Sequence, residues 1–358
     1  MAIRISETVL IAIGLIKIAL IGAFLASLSS ASATFAANEP TTTNQMTCGG
    51  INLVEKMRSE EPKKYSELVS DAAKITNGSS IFWKIEKDGA EPSYLLGTMH
   101  VSDPKVTTLS PAAQTALNSS KTIIVENTET FDPKKATAAM VQLKHLTFLK
   151  AGQTLDAKFN GELKTKLQQA VTKRGMPFQI ANRMQPWVVA TIVALPVCEM
   201  VAKQRGKKVL DHLIADHAIK NGKTLIGLET MEEQFSAIAS LPAEFHFSAL
   251  KETLAMGSDQ SENIIATMKA LYQTGSISML MPLMKSVSPK AFTGKGTTAF
   301  QEALIINRNR IMAERSQEHL EKGGTFLAVG ALHLSGETGL VSLLRKQGFK
   351  VTAIKSAG

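Results

Sequence analysis

The chain has 358 residues, of which 44% are hydrophobic and 20% are charged. This composition excludes a disordered or collagen-like chain and provides enough apolar material for one substantial core. The net charge of +9 comes from 40 basic and 31 acidic residues, and aromatic residues make up only 5%. Because the basic residues are scattered and form no stripe with interleaved aromatic rings, we expect no nucleic-acid partner.

The first 33 residues are predicted to be a secretory signal peptide. Arg4 precedes an apolar stretch over residues 9–28, and small residues at 31–33 are of the kind that signal peptidases accept. Lys17 interrupts the stretch, so neither half can span about 30 Å of hydrocarbon unaided. This favours cleavage and a periplasmic or secreted protein. The alternative is anchoring by an uncleaved segment, which would be the only membrane contact.

Residues 34–47 are polar and rich in Pro and Thr, which is typical of a linker, and one folded domain is predicted over residues 48–358. The two cysteines, Cys48 and Cys198, can form a disulfide in an oxidising compartment. The alternative is a buried free Cys198, because an apolar run over residues 188–197 precedes it. Residues 45–47 lack a lipoprotein signal pattern, so no lipid anchor is expected.

The first predicted elements of the domain are short helices within residues 53–69, followed by two strands over residues 81–85 and 93–96. Asp88 and Gly89 between the strands are a strong hairpin signal. Ser110 and Pro111 are typical of a helix start, and this helix is expected to end near residue 118. A strand over residues 122–125 then leads to Glu126.

Helical periodicity dominates the middle of the chain. Residues 133–201 and 241–287 are predicted to be helical, and further helices are expected over residues 209–220 and 301–322. A short strand over residues 224–228 delivers Glu229 at its end, and a buried strand over residues 325–329 follows the last of these helices. A helix over residues 339–347 and a strand over residues 349–354 complete the chain.

The fold class predicted from this order is α/β, with a mixed β-sheet core, extensive helical insertions over about residues 133–320, and two similar strand–GxxH units. Each unit consists of an apolar strand, a glycine, and a histidine three positions later: Gly97 with His100, and Gly330 with His333. We expect each glycine to permit a backbone path that few other residues can follow and so to turn the imidazole over the sheet edge.

A single histidine beside an apolar strand is more often structural than a ligand, but two matched units favour a common site. Imidazoles suit Mn, Co or Zn, and a catalytic metal also needs carboxylate ligands and an open position. Glu126 and Glu229 are candidates because each ends a predicted strand, and ligands bind at the carboxyl ends of strands in open α/β sheets. The alternative for both acids, and especially for Glu229, is a surface salt bridge or a partner of the helix N-terminus.

The chain resembles the TraB/GumN family, whose eukaryotic relatives include the Tiki proteases, within the EreA/ChaN-like superfamily. The matching segments are residues 94–101, 123–126, 209–211, 227–234, 308–309, 330–336 and 339–340. The resemblance implies that His100 and His333 are metal-linked, that Glu126 is a ligand or general base, and that Arg308 and Asn309 support the site. One departure is that Asn127, Thr128 and Glu129 follow Glu126, where the family usually has an apolar residue and an aspartate.

Two functions follow as hypotheses. The first is an exported metal-dependent hydrolase of a peptide or other small acyl substrate, with Glu126 accepting a proton from water. The second is a non-catalytic haem- or metal-binding protein, or an accessory protein of polysaccharide production. Arg308 is expected to bind a substrate carboxylate or an oxyanion, or else to pair with Glu302 or Glu314 on its own helix.

Overall fold

The computed structural model describes residues 48–287 and 295–354. The predicted signal peptide and the linker that follows it lie outside the described residues. No single helix in the described part of the chain is long and apolar enough to cross a membrane. One pair of helices, Pro186–Ala194 and Val197–Gln204, passes the same test of length and composition jointly, but with a 91° bend between them.

Helices make up most of the described chain. In chain order they are α1 (Leu53–Glu60), α2 (Pro62–Ala73), α3 (Pro104–Thr107), α4 (Pro111–Ser119), α5 (Pro133–Gln142), α6 (Lys144–Thr147), α7 (Gly161–Thr172), α8 (Phe178–Ala181), α9 (Pro186–Ala194), α10 (Val197–Gln204), α11 (Leu210–Lys220), α12 (Met231–Ala239), α13 (Ala243–Ala255), α14 (Ser258–Gln273), α15 (Leu280–Val287), α16 (Lys295–Gln301), α17 (Asn307–Lys322) and α18 (Leu340–Lys346).

Six strands in the described residues form one mixed sheet in the order β4-β3-β5-β2-β1-β6. They are β1 (Phe82–Glu86), β2 (Ser93–Thr98), β3 (Thr122–Val125), β4 (Thr224–Gly227), β5 (Thr325–Gly330) and β6 (Lys350–Ala353). The four strands β4, β3, β5 and β2 are parallel, whereas β1 is antiparallel to both β2 and β6. The predicted α/β class with a mixed sheet and many helices is confirmed.

Several local predictions are also confirmed. Strands β1 and β2 pair as a hairpin from Phe82 opposite Leu96 to Ile85 opposite Ser93, and Gly89 in the connection has a φ of 78°. The hydroxyl of Ser110 accepts a hydrogen bond from the N–H of Ala113, as expected of the residue that caps α4.

The predicted helix over residues 301–322 differs from the structure at its start. A π-helical segment, Glu302–Ile306, separates α16 from α17. A widened turn of this length leaves no trace in the hydrophobic pattern, because five residues are too few to distinguish its period from that of an α-helix. Only Asn307 separates the end of this segment from Arg308 and Asn309, which lie in the first turn of α17.

The sheet is covered by helices on both faces because successive strand residues point to opposite sides. One face carries the core of Leu95, Ile124, Leu327 and Val329 against α17 and α18. The other carries Leu96, Ile123, Val125, Phe326 and Ala328 against α4 and α11. A third and larger apolar cluster lies among the remaining helices and includes Met99 and Ala331, which follow β2 and β5. These helices therefore cover the carboxyl ends of the parallel strands.

Cys48 and Cys198 form a disulfide with their Cα atoms 5.3 Å apart, which decides between the two alternatives that the sequence leaves open. The segment after Cys48 lies along α14, where the N–H of Ile51 donates to Oδ1 of Asn263 and the N–H of Leu53 donates to Oγ1 of Thr267. The disulfide thus ties this segment, and through it α14, to α10.

Removal of the disulfide is expected to lower the free energy of unfolding by about 2–5 kcal/mol, because the bridge closes a loop with a sequence separation of 150 residues. The measurement is urea denaturation of the Cys48→Ser, Cys198→Ser double variant. Reductant should destabilise the wild-type protein to the same extent and leave the variant unchanged. Equal stability of the two proteins without reductant would contradict this.

Candidate active site

The four predicted site residues lie at one edge of the sheet. His100 follows β2, Glu126 follows β3, Glu229 follows β4, and His333 lies in a 3₁₀ turn directly after β5. These four strands are parallel neighbours, so their carboxyl ends meet at the same edge. The four strand ends that the sequence predicts therefore lie at one place in the fold.

The His333 ring is oriented by Asn309 on α17. Nδ1 of His333 lies 2.6 Å from Oδ1 of Asn309, while Nδ2 of the same amide donates to the carbonyl of Thr338 at 2.8 Å. Because the amide oxygen can only accept, Nδ1 carries the hydrogen and Nε2 presents its lone pair. Burial, together with the nearby Arg308, lowers the pKa of His333 to about 3, so the ring is neutral near pH 7.

The His100 ring is oriented by Asp211, at the start of α11. Nδ1 of His100 donates to Oδ2 of Asp211 at 3.0 Å, and the hydroxyl of Thr98 donates to the other carboxylate oxygen at 2.8 Å. Burial opposes the charged form of the ring, but Asp211 outweighs it and raises the pKa of His100. The backbone carbonyl of His100 also accepts from Nζ of Lys203 at 3.2 Å. The ring is therefore held by Asp211 and the backbone by Lys203, with Nε2 left for the site.

Glu126 is buried between these rings and Arg308. Its Oε1 accepts from the N–H of Gly330 at 2.7 Å and lies 3.8 Å from Nε2 of His333. Its Oε2 accepts from Nη2 of Arg308 at 2.8 Å and from Nε2 of Gln234 at 3.3 Å. Burial would raise the pKa of Glu126, but Arg308 and the nearby ring and N–H groups lower it to about 2, so the carboxylate is ionised.

Glu229 binds Arg308 through both oxygens. Nε of Arg308 donates to Oε1 at 2.8 Å and Nη2 donates to Oε2 at 2.6 Å, a bidentate geometry, and Nε2 of Gln234 reaches Oε2 at 3.1 Å. The acid is 2% exposed in this pair. Burial disfavours the charge of Arg308, but Glu126 and Glu229 together raise its pKa. Within the described part of the chain, Glu229 is thus joined to the histidines only indirectly, through Arg308 and Gln234 to Glu126.

The structure also shows which partners are bonded by the other acids that the sequence analysis considered. Arg308 pairs across the fold, whereas Glu302 binds Arg310 on the exposed side of the helix. The N-terminus of α12 is capped by Thr230 with Glu233, not by Glu229. Glu129, the displaced acid after Glu126, accepts from the N–H of Met231 at 2.6 Å and thereby binds the first turn of α12.

Both glycines of the GxxH units are required by close approach, not by an unusual backbone path. Neither has a positive φ, so the expected conformational reason is wrong. A Cβ at Gly97 would lie 2.9 Å from the Cα of Ala331, in the turn after β5. A Cβ at Gly330 would lie 3.1 Å from Oε1 of Glu126, 3.5 Å from Cδ2 of His333 and 4.0 Å from Nε2 of His100. Because Gly330 has no side chain, the position of its Cβ is left open beside Glu126, His333 and His100, three potential metal ligands.

Substitution Gly330→Ala is expected to lower the free energy of unfolding by about 1–3 kcal/mol, because the added methyl group forces the Glu126 carboxylate away from Arg308. The measurement is urea denaturation. The matched control is Gly257→Ala, where a Cβ meets nothing within 4 Å. Because Gly257 is the N-cap of α14, a loss of at most about 1 kcal/mol is expected there. Equal effects of the two substitutions would contradict this account.

One wall of a cavity is formed by His100, Glu126, Arg308 and His333. The cavity has an empty volume of about 660 Å³ and extends into open solvent. The opposite walls are largely apolar and include Met99, Met268, Ile277 and Leu280. In residues 48–287 and 295–354, no group of three or more His, Cys, Asp or Glu side chains is arranged so that it could hold a metal ion as it stands.

Asp211, Gln234 and Tyr272 are site residues that were not predicted. Tyr272 lines the cavity and donates to the carbonyl of Gly97 at 2.8 Å. Asp211 and Gln234 lie in the segments that carry the family resemblance, which was the available signal, but their partners are 111 and 108 residues away in the chain. No periodicity in one sequence reports contacts over such separations.

Comparison with known proteins gives a consistent picture. The model of the TraB/PrgY/gumN family matches residues 81–353. The metalloprotease TIKI1 of Danio rerio is 25% identical over 317 residues, which cover 76% of this chain and 63% of that protein. The metalloprotease TIKI homolog of Nematostella vectensis is 25% identical over 334 residues, covering 80% and 69%. The chain thus spans less than two thirds of the length of the Danio rerio protein. No solved structure matches the chain.

Proposed function

Because the chain belongs to the TraB/PrgY/gumN family, we propose that it is a metal-dependent hydrolase of peptide or other acyl bonds that acts after export from the cytoplasm. The observation that supports this most directly is the space at Gly330, which His100, His333 and Glu126 surround. The relatives named metalloproteases agree with it. Export rests on the predicted signal peptide, and the Cys48–Cys198 disulfide suits an oxidising compartment.

The donor set suits a divalent metal ion in chemical type. Each imidazole is fixed through Nδ1 by another side chain, Asp211 or Asn309, which is how protein histidines are commonly oriented for a metal. We propose Nε2 of His100, Nε2 of His333 and Oε1 of Glu126 as the ligands of Mn, Co or Zn after a local shift of these side chains, because as they stand they do not form a group that could hold a metal ion. Such an ion supplies Lewis acidity, which lowers the pKa of water and polarises an acyl carbonyl.

Glu229 has a different proposed role from the one that the sequence suggested. Both of its oxygens are engaged by Arg308 and one also by Gln234, and Glu229 does not line the cavity that His100, His333 and Glu126 line. We assign it to holding Arg308 in place.

Arg308 is proposed to stabilise negative charge on the substrate. Nε and Nη2 are taken up by the two carboxylates, but Nη1 donates no hydrogen bond to any described residue, and the side chain lines the cavity. A fixed guanidinium with one free N–H pair can stabilise an oxyanion at little reorganisation cost. Oε1 of Glu126 accepts only from the N–H of Gly330 among the described residues, and it is proposed either to bind the metal or to accept a proton from water.

The test is metal analysis of the purified protein beside the His100→Asn, His333→Asn double variant. We expect the double variant to lose bound Mn, Co or Zn and the hydrolysis of a quenched fluorescent peptide, while chelator and metal readdition remove and restore activity in the wild-type protein. His145→Asn is the control, because that ring is exposed and bonds only a neighbouring carbonyl. Full metal content in the double variant would refute the site, and a Soret band on haem titration would support the binding-protein hypothesis instead.

A further inference from the structure

The segment that carries His100 has no regular secondary structure. Residues 99–103 connect the end of β2 to the start of α3, so their path depends on bonds from other parts of the fold. Oε1 of Glu199 on α10 accepts from the N–H of Ser102 at 2.6 Å. Nζ of Lys203 on the same helix donates to the carbonyl of His100 at 3.2 Å. One helix therefore engages both a backbone donor and a backbone acceptor of the segment.

Glu199 and Lys203 are placed to act on this segment together. They lie one turn apart on α10, so both side chains leave the same side of the helix. Glu199 is 4% exposed, and a carboxylate is buried only at a cost unless a donor compensates it, as the N–H of Ser102 does here. Neither Glu199 nor Lys203 lines the cavity that His100 lines with the other proposed ligands. Their bonds therefore act on the position of the segment and not on a substrate.

Helix α14 holds the other end of the same segment. Oδ2 of Asp103 accepts from Nζ of Lys269 at 2.6 Å, in an ion pair whose side chains are 25% and 12% exposed. The chain that follows Cys48 is bonded to α14 as well, through Asn263 and Thr267. The segment after β2 thus lies between α10 on one side and α14 on the other.

The disulfide joins the two helices that hold the segment. Cys198 directly precedes Glu199 on α10 and is bonded to Cys48, whose following residues lie along α14. Besides Cys198 and Glu199, the buried side chain of the eight-residue helix α10 is Met200. Little apolar packing therefore holds α10, and the disulfide is its strongest attachment to the α14 side of the segment.

We propose that Glu199 and Lys203 are positioning residues for His100. The Cys48–Cys198 disulfide holds their helix, so reduction of the disulfide loosens the segment and weakens metal binding. The protein therefore acquires its full metal affinity only in an oxidising compartment. This inference rests on the proposed role of His100 as a metal ligand.

Reduction of the disulfide yields two thiols and requires two electrons and two protons. A water-soluble phosphine supplies the electrons and is oxidised to its oxide with the oxygen of one water molecule, whose protons go to the two sulfurs. Treatment of the wild-type protein with such a phosphine should therefore reproduce the properties of the Cys48→Ser, Cys198→Ser double variant and leave that variant unchanged. A phosphine effect of equal size on the variant would overturn the inference.

The first readout is hydrogen–deuterium exchange of the metal-free, full-length protein. At short exchange times, at which global unfolding contributes little, residues 99–103 should exchange at least about tenfold faster in the double cysteine variant than in the oxidised wild-type protein. Residues 331–336 are the internal control, because their backbone is bonded to Thr76 and within its own turn, and they should change by less than about twofold. Equal acceleration of both segments, or loss of the fold, would overturn the inference, because the disulfide would then stabilise the protein as a whole.

Substitutions on α10 separate the bonds from the bulk of the side chains. Glu199→Gln keeps an oxygen that can accept from Ser102 and should retain slow exchange of residues 99–103, whereas Glu199→Met removes the acceptor and should accelerate it at least about tenfold. Lys203→Met should act in the same direction. Lys207→Met is its matched control, because Lys207 is exposed beyond the end of α10. Slow exchange in Glu199→Met, or equally fast exchange in Glu199→Gln, would overturn the inference.

The second readout is the affinity for Zn or Mn, measured in competition with a chelator of known affinity. Glu199→Met and the double cysteine variant should each bind the ion about 10–100-fold more weakly than the oxidised wild-type protein. The combined variant should bind little more weakly than either, because both changes release the same segment. If the combined loss equals the product of the separate losses, the disulfide and Glu199 act independently and the inference is overturned.

The two readouts separate this inference from the proposed function. Exchange is measured without metal, so fast exchange confined to residues 99–103, in a protein whose wild-type form binds no Zn or Mn, would support the positioning role and refute the proposed metal centre. A protein that binds metal and hydrolyses peptides equally well with and without the disulfide would refute the inference and leave the proposed function intact.

Discussion

Replacement of Arg308 by methionine is expected to destabilise the fold by about 3–5 kcal/mol and to abolish hydrolysis. The guanidinium is the only cation bonded to Glu126 or Glu229 among the described residues, and its removal leaves two carboxyl groups in a buried site without a cationic partner. Loss of one partner from a buried ion pair has a cost of this size because the remaining charge cannot be solvated. The measurement is urea denaturation at neutral pH.

Arg310→Met on the same helix is the control for Arg308→Met. Arg310 pairs with Glu302 at the surface, where its side chain is 59% exposed, and we expect a change below about 1 kcal/mol. If the unpaired carboxylates are the cause, adding Glu229→Gln to Arg308→Met should recover part of the lost stability. Additive losses in that double variant would show that the cause is packing and not charge.

Arg308→Lys separates charge from geometry. A lysine restores a cation near the carboxylates but cannot bond Glu229 through two parallel N–H groups while reaching Glu126. We expect stability to recover substantially while kcat/KM stays at least about tenfold below that of the wild-type protein. Full activity in Arg308→Lys would argue against the proposed stabilisation of an oxyanion by Nη1.

The strands and the helices beside them were predictable because their signals are local. The apolar runs of the strands, the turn at Asp88 and Gly89, and the Ser110 cap each involve residues within a few positions of one another. The expectation that His100 and His333 lie at one edge followed from a general property of parallel sheets. The pairing of β5 between β3 and β2 is the observation that brings them together.

The bonds of the site were not predictable because they depend on distant pairings and on space. Arg308 has potential partners on its own helix, yet it pairs with acids 182 and 79 residues away. The choice depends on the depth of the site, where a pair of buried carboxylates needs a cation. The role of Gly330 could not be predicted either, because the sequence shows that the residue has no side chain but not which atoms an added Cβ would approach.

Asp211→Asn is expected to weaken metal binding by about 10–100-fold while leaving the fold stable to within about 1–2 kcal/mol. The amide can still bond Nδ1 of His100 through its oxygen, but it removes the negative charge that makes Nε2 a better donor. The measurement is competition for Zn or Mn against a chelator of known affinity, followed by kcat at saturating metal.

Asp216→Asn is the control, because Asp216 lies on the same helix but pairs with Lys208 at the surface. Unchanged affinity is expected there. A positioning role for Asp211 requires that excess metal restore most of the activity of Asp211→Asn, since the three assigned ligands remain. If activity stays low at full occupancy, Asp211 acts in the reaction itself. If affinity is unchanged, His100 is not a ligand, and the proposed centre would have to form without the imidazole that Asp211 holds.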